Sequence, residues 1–285
     1  MKKIETGLLE EAIRYYERPA ILLGNGINQC ANIFPTWRDL LNEIGGGDIN
    51  PDGLTNTEIY DFIELRTFDS DALKYQVAQK FESVTDIASP VYSKFLDLVR
   101  SKNCPVLTTN FDFALEKAGA LLPHRTSKLG FTRYYPWDTY YGDTQHELPT
   151  DGFGIWHIHG MLNYHDSIRL GLTDYMGSVE RARKLIHAGD GRLFEGKDQN
   201  YWKGRTTWLH IWFNMPLVIV GFGLSSDEVF IRWLLIERKK YFQRFPERRK
   251  ETMFISRGGN ERVQNFLHNL NIESRTAREY DLLYY

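Results

Sequence analysis

Four polar side chains could carry chemistry because they lie at or near the ends of apolar runs. Asn110 and Asp112 directly follow one such run, and His157 and His159 lie within another. In α/β sheets, ligands bind outside the carboxyl ends of the strands. A carboxamide there can hold a sugar hydroxyl or a water, and a neutral imidazole, with an ordinary pKa of about 6.5, can act as a base. These four residues are therefore the first candidates for a functional site.

Each candidate also has a structural interpretation. Asn110 is a good N-cap for a helix that the sequence predicts over 112–118. Alternation along a strand predicts that His157 and His159 point to the same face, where they could be two ligands of a metal site that still needs a third donor. There are two other interpretations. One of the histidines could be catalytic, with Gly160 leaving space beside it, or a histidine could be buried and hydrogen-bonded to a neighbour. The residues alone leave these alternatives open.

Two glycine-containing turns follow apolar runs and could approach a phosphate closely. In the first, at 24–26, the third glycine of the dinucleotide-binding fingerprint is replaced by Gln29. The second, at 221–223, precedes Ser225 and Glu228, which predict a capping box at the start of the next helix. Backbone N–H groups and a helix N-terminus favour a bound anion. A tight turn and an ordinary strand–helix junction are the structural alternatives.

Short apolar runs predict the strands that must position these residues. Three of them, at 19–24, 104–109 and 215–223, are bounded by Pro or Gly and do not alternate with polar residues, which is typical of strands buried on both faces of a parallel sheet. A fourth candidate strand covers 153–160. The pattern therefore predicts an α/β fold, with the last strand and a loop in 253–259.

The segments between these strands predict insertions rather than further domains. Residues 45–103 have a mostly helical pattern, 120–153 predict a structured loop without a clear period, and 172–207 predict a lid or a small helical layer. Because no convincing linker interrupts the chain, we expect a single domain over 1–285.

Composition excludes several classes of protein. A net charge of -2 gives no electrostatic case for nucleic acid binding. Two cysteines are too few for a disulfide framework or a four-cysteine zinc site. The N-terminal segment predicts an amphipathic helix rather than a signal peptide, and the most apolar segment, 208–220, is too short and polar to cross a membrane. We therefore expect a soluble, cytoplasmic protein.

The order of the motifs resembles that of the sirtuins. More closely, the chain resembles the prokaryotic sirtuin-like NAD hydrolases of antiphage defence. The matching stretches are short, lie between positions 24 and 228, and are Gly24-Asn25-Gly26-Ile27, PTWRDLL (35–41), TTNFD (108–112), HIHG (157–160) and GFGLSSDE (221–228).

The resemblance implies a Rossmann-like fold, with a mostly parallel central sheet, helices on both faces and helical insertions. It implies that NAD+ is the substrate, with no cofactor and no metal, and that the nicotinamide ribose lies near Asn110 and His159. Asp112 would fix the loop or polarise Asn110. The remaining expected nucleotide contacts are Gly24, Asn25, Gly26, Asn28, Arg38, Thr109, Gly221, Gly223, Ser225 and Ser226.

The missing cysteines distinguish this chain from the sirtuin deacylases, which carry a four-cysteine zinc module. The resemblance therefore favours NAD+ hydrolysis to nicotinamide and ADP-ribose over deacylation. A deacylase, a metal-dependent hydrolase using His157 and His159, and a non-catalytic NAD or ADP-ribose sensor stay as alternatives. Because unregulated NAD+ loss would kill the host and no sensor domain is evident, we expect a homo-oligomer or a separate partner protein to gate the activity.

Overall fold

A single sheet forms the centre of the molecule. The computed structural model describes residues 7–45, 49–50, 52–67, 69–84, 88–127, 131–258 and 260–277. In these ranges the strands are β1 (Ala20–Leu23), β2 (Val106–Thr108), β3 (Leu122–Arg125), β4 (Thr139–Gly142), β5 (Ile155–His157), β6 (Leu217–Val220), β7 (Thr252–Ser256) and β8 (Glu273–Thr276). Their order across the sheet is β3-β4-β5-β2-β1-β6-β7-β8. Strand β4 is antiparallel to β3 and β5, and the other neighbouring pairs are parallel.

Helices cover both faces of this sheet. They are α1 (Leu8–Tyr16), α2 (Gly26–Ala31), α3 (Trp37–Ile44), α4 (Asn56–Thr67), α5 (Ser70–Glu82), α6 (Pro90–Ser101), α7 (Ala114–Gly119), α8 (Leu172–His187), α9 (Leu209–Asn214), α10 (Val229–Arg244) and α11 (Glu261–Leu270). Of these helices, none is both long and apolar enough to cross a membrane. The predicted α/β, Rossmann-like fold with a mostly parallel sheet is confirmed.

Alternate residues of the central strands divide the core into two halves. Ile21 and Leu23 pack in a cluster with α1 to α7, whereas Ala20 and Leu22 pack in a second cluster with α8 to α11. Strand β6 divides in the same way. All four residues of β1 and of β6 are buried, which explains why these strands read as continuous apolar runs.

The strand register brings the predicted site segments to one edge. Leu23 is paired with Thr108 and with Val220, and Thr108 is paired with His157. The chain therefore leaves β1, β2, β5 and β6 at nearly the same level of the sheet. This is the carboxyl edge, where α/β proteins bind ligands.

The insertions differ in part from their predicted structure. The segment 120–153 contains the antiparallel pair β3–β4 at the sheet edge, so it is more than a loop. Segment 172–207 begins with the 16-residue helix α8, and the described part of 45–103 is mainly helical. The predicted N-terminal helix is present as α1. Residues 1–6 of that N-terminal segment lie outside the described part of the chain. The single-domain organisation stays a prediction.

The prediction that 253–259 contains the last strand is wrong. That segment forms β7, but β8 follows it and pairs with it in parallel. Strand β8 has the sequence ESRT and no fully buried residue. A polar edge strand of this kind has no apolar pattern that could reveal it.

The two glycine turns touch each other at the carboxyl edge. Gly26 N donates to Gly221 O over 2.8 Å, and Gly24 N donates to Val220 O over 3.0 Å. A Cβ at Gly24 would overlap Gly221 O and would lie 2.7 Å from Phe222 Cα. Gly221 itself has a φ of 64°, a conformation that glycine adopts most easily. Only a glycine fits at position 24 without moving the backbone.

We expect Gly24→Ala to destabilise the protein by about 1–3 kcal/mol, since its methyl group would press on backbone rather than on a movable side chain. Gly223→Ala is the matched control, because a Cβ there meets nothing within 4 Å. The free energy of unfolding measured in denaturant tests both variants. Equal stability of the two would contradict the role of the turn contact.

Candidate active site

A cavity of about 490 Å³ opens at the carboxyl edge of the sheet. Nine of the predicted site residues line it, and they come from the segments that follow β1, β2, β5 and β6. They are Asn25, Gly26, Thr109, Asn110, Asp112, His159, Gly221, Gly223 and Ser225. The structure thus brings most of the predicted residues to one concave surface.

Asn110 links two strands at the cavity wall. Its backbone N donates to Thr108 Oγ1 over 3.1 Å, and its Nδ2 donates to Gly24 O over 3.4 Å. The prediction that Asn110 caps a helix over 112–118 is wrong. The helix α7 begins at Ala114, and Asp112 Oδ1 accepts from Ala114 N over 3.0 Å. The side chain of Asn110 is therefore not used as a cap.

Asn28 supports this wall from behind. It is buried, and its Nδ2 donates to Asp112 Oδ2 over 2.7 Å and to Asn25 Oδ1 over 3.0 Å. Tyr92 donates to Asn28 Oδ1 over 2.9 Å. Burial raises the pKa of Asp112, and the bonds from Ala114 and Asn28 oppose that shift. Asn28 does not line the cavity, contrary to its predicted contact with a ligand, because its amide orders Asn25 and Asp112 instead.

Three other predicted contacts also lie outside the cavity lining. Arg38 Nη2 donates to Leu54 O over 3.1 Å, which ties the guanidinium group to a neighbouring loop. Ser226 is exposed, and its Oγ lies 3.4 Å from Asp227 Oδ1. Gly24 acts through its contact with the second turn. The direct contacts of Arg38 and Ser226 with a nucleotide stay predictions.

His157 and His159 lie on opposite sides of the sheet, so their predicted common face is wrong. The strand ends at His157, and the chain then turns at Gly160, which has a φ of 95°. His157 contacts Phe113 and Tyr141 on the side of α7, whereas His159 contacts Tyr175 and Phe230. Side chains alternate between the two faces of a sheet only as far as the strand extends, and β5 ends at His157. The sequence does not show where that end lies.

His157 is held as a buried cation. Its Nδ1 lies 2.7 Å from Asn110 O and its Nε2 lies 3.0 Å from Glu116 Oε1. Because both partners are acceptors, both ring nitrogens must donate, which requires the protonated imidazole. Burial lowers the pKa of His157, but the charge and hydrogen bond of Glu116 and the carbonyl of Asn110 outweigh it and raise the pKa above 6.5.

This geometry does not support a metal site that uses both histidines. Neither nitrogen of His157 is available to a metal, since each is bound to an oxygen of the protein. Across the described ranges, no group of three or more His, Cys, Asp or Glu side chains is placed to hold a metal ion. His157 instead positions the backbone of Asn110 through Asn110 O.

His159 is neutral. Burial, with a contribution from the charge of Arg169, lowers the pKa of His159 to about 3. Its Nε2 is buried without a hydrogen-bond partner. Nε2 of this imidazole can therefore donate a hydrogen bond to a molecule in the cavity, or accept one from it, throughout the neutral pH range.

Glu228 lies at the cavity but is not among the predicted site residues. Glu228 lines the cavity, and burial, with the charge of Asp227, raises the pKa of Glu228 to about 8. The predicted capping box is wrong, because α10 begins at Val229 without a side-chain cap and Glu228 N donates to Ser225 O over 3.2 Å. A glutamate three residues after a serine has the spacing of a capping box, so the sequence gives no sign that this side chain lines the cavity.

Other cavity residues were missed because they come from segments without a recognisable motif. Arg169 and Tyr175 come from the chain around the start of α8, Ser256 is the last residue of β7, and Asn260 follows that strand. Ser256 lies in the segment 253–259, for which a strand and a loop are predicted, and position at the carboxyl end of that strand could also have indicated Asn260.

Comparison with known proteins assigns the family. Residues 105–274, more than half of the chain, match the family model described as SIR2-like domain. The chain belongs to the SIR2-like domain family. No curated protein matches it in sequence. A solved structure described as "Structural Basis for the Mechanism and Regulation of Sir2 Enzymes" is similar at 12% identity, with a TM-score of 0.42, over 96% of this chain and 93% of the other.

The assignment to the SIR2-like family rests on the family model, since a structural likeness of that degree adds no weight. The matched region contains Asn110, His157, His159 and Glu228, and it begins after the glycine turn at 24–26. Membership in the SIR2-like family supports NAD-related enzyme activity in general.

We expect His157→Gln to lower the free energy of unfolding by about 3–5 kcal/mol near pH 6, because Glu116 would be left buried without its partner. The contribution of His157 is fully present below pH 6.5 and is lost as the pH rises through its raised pKa in the folded state. The deficit of the variant should therefore shrink at higher pH.

Denaturant unfolding at several pH values tests this expectation. His165→Gln is the control, because the pair between His165 and Asp166 leaves 30% of the His165 side chain exposed and should contribute less than about 1 kcal/mol. A His157→Gln variant with the stability and pH dependence of the wild type would contradict the buried cation.

Proposed function

We propose that the protein is an NAD+ hydrolase that cleaves the bond between nicotinamide and ribose, giving nicotinamide and ADP-ribose. One observation carries the proposal: Asn110 and His159 line the same cavity, beside the glycine turns at 24–26 and 221–223. Membership in the SIR2-like family supports NAD+ as the ligand.

The cavity suits a dinucleotide in size and lining. Its volume of about 490 Å³ lies within the range of roughly 300–1,000 Å³ that is usual for small-molecule sites. The glycine turns leave room for a pyrophosphate next to the backbone, with Ser225 as a hydroxyl donor. The cavity continues to Ser256 at the end of β7 and to Asn260 after it, which leaves space for the adenosine half.

The reaction requires positioning more than acid catalysis. The bond from C1 of the ribose to the nicotinamide nitrogen breaks, and both electrons leave with nicotinamide, which becomes neutral. The ribose then carries positive charge until the oxygen of a water bonds to C1 and the water loses a proton. A protein accelerates such a step by holding the ribose and the water in a reactive arrangement.

The chain supplies residues for each of these tasks. The carboxamide of Asn110 would orient the water or a ribose hydroxyl, and its position is fixed by Gly24 O and by His157. His159, being neutral, would accept a hydrogen bond from a ribose hydroxyl or take the proton of the water. Asp112 would act indirectly, since it holds the start of α7 and Asn28.

We also propose that this activity is gated, as expected of an NAD-depleting effector of antiphage defence in the cytoplasm. The resemblance of the motifs is the support for that role. Self-association or a separate sensor protein would supply the gate. NAD+ turnover should then depend on protein concentration or on an added partner.

We expect Asn110→Ala and His159→Ala each to reduce nicotinamide release at least about 100-fold while the protein stays folded, since each loses a group that positions the reacting ribose or water. Asn163→Ala is the control, because Asn163 is exposed and bonds to Tyr141 away from the cavity. Mass spectrometry of the products, with chelator and without acyl peptide, provides the measurement.

Turnover by either cavity variant at the rate of the wild type would contradict the site. Nicotinamide release that requires an acyl peptide would favour a deacylase, and loss of activity in chelator would favour a metal-dependent hydrolase. NAD+ binding without any product, even with partner proteins present, would favour a sensor.

A further inference from the structure

Two buried polar atoms face each other in the cavity without a hydrogen-bond partner. They are Nε2 of His159 and Oε2 of Glu228, and they lie 4.0 Å apart. That distance is too long for a direct hydrogen bond, which needs about 2.7–3.2 Å. A buried polar atom without a hydrogen-bond partner destabilises a folded protein, and both atoms can form a hydrogen bond with a molecule bound in the cavity.

The gap fits an oxygen that contacts both side chains. An oxygen about 2.8 Å from each atom would form a normal hydrogen bond with both, and two adjacent sugar hydroxyls could instead contact one atom each. Both residues line the cavity, so such an oxygen can belong to a bound molecule. A vicinal diol, as on ribose, has the required chemistry.

We propose that Glu228 is a further catalytic residue, whose carboxylate binds the ribose hydroxyls beside His159 and stabilises the positive charge that develops on the ribose. This inference rests on the proposed NAD+ hydrolysis and names a residue that acts in it. Glu228 keeps its protonation state during the step: it accepts a hydrogen bond, while the bond electrons leave with nicotinamide and the proton of the attacking water goes elsewhere.

The charged and titratable surroundings of Glu228 allow this role. The groups on its own segment and on the other elements of the cavity are Asp112, His159, Arg169, Tyr175, Asp227 and Arg257. Arg169 forms an ion pair with Asp174, and Asp227 Oδ2 accepts from Asn56 N over 3.0 Å. Because His159 is neutral, it is not a cationic partner of Glu228.

Ionisation of Glu228 should govern the pH dependence. Burial, followed by the charge of Asp227, raises the pKa of Glu228 to about 8, so the carboxylate is a minor form at pH 7. The pKa of His159 is about 3, and this residue therefore adds no ionisation near neutrality. The rate should rise with pH until it levels off above about pH 8.

The test compares the wild type with Glu228→Gln and Asp227→Asn by measuring kcat/KM for nicotinamide release between about pH 6 and 9.5. We expect the wild-type value to rise about tenfold per pH unit below pH 8. Glu228→Gln keeps the shape of the side chain but cannot ionise, so it should be at least about 100-fold slower at pH 8, without this pH dependence.

Asp227→Asn tests the role of Glu228 ionisation independently, at a residue that does not line the cavity. The asparagine can still accept from Asn56 N, but the negative charge that raises the pKa of Glu228 is gone. The rise in rate should therefore move to lower pH, and Asp227→Asn should be faster than the wild type near pH 6.5.

Two measurements keep the outcomes separate. Thermal unfolding and circular dichroism at pH 8 report whether Glu228→Gln is folded, and it should be at least as stable as the wild type because an ionisable group with a buried oxygen is removed. Wild-type rates with an unchanged pH profile in folded Glu228→Gln would overturn the role of Glu228 alone. No nicotinamide release by the wild type, with or without partner proteins, would overturn the proposed function and this role together.

Discussion

The contact between the two glycine turns is the constraint on which the site depends. Strands β1 and β6 are neighbours, and the chain leaves both at the same level, so the turns that follow them are pressed together through Gly26 N and Gly221 O. A side chain at Gly24 would separate them. Because Asn110 also bonds to Gly24 O, this contact fixes the floor of the cavity and the position of the carboxamide beside it.

The two histidines of the HIHG stretch differ in charge because they lie on opposite sides of the sheet. His157 is a buried cation that bonds to Glu116 and holds the backbone of Asn110. Two residues later, on the other side of the sheet, His159 is neutral and its Nε2 has no partner. Gly160 allows the chain to turn there, since a Cβ at this position would overlap the backbone of Ser167. One histidine thus stabilises the site and the other is free to contact a ligand.

Much of the fold could be predicted, and the site only in part. Apolar runs between glycines and prolines identified β1, β2 and β6, and the rule that parallel strands end at one edge brought Asn110 and His159 together. The polar edge strand β8 had no such pattern. The roles of Asn28, Arg38, Ser226 and Glu228 depend on which way each side chain turns after its strand or helix ends. Spacing along the sequence cannot determine that direction, so Glu228 resembled a helix cap.

The most direct test of the account is a crystal structure of the protein with ADP-ribose bound. We expect the ribose that would carry nicotinamide to lie between Asn110 and His159, with the pyrophosphate against the turns at 24–26 and 221–223. A ribose bound at another part of the molecule, or a nucleotide in this cavity whose ribose contacts neither side chain, would contradict it.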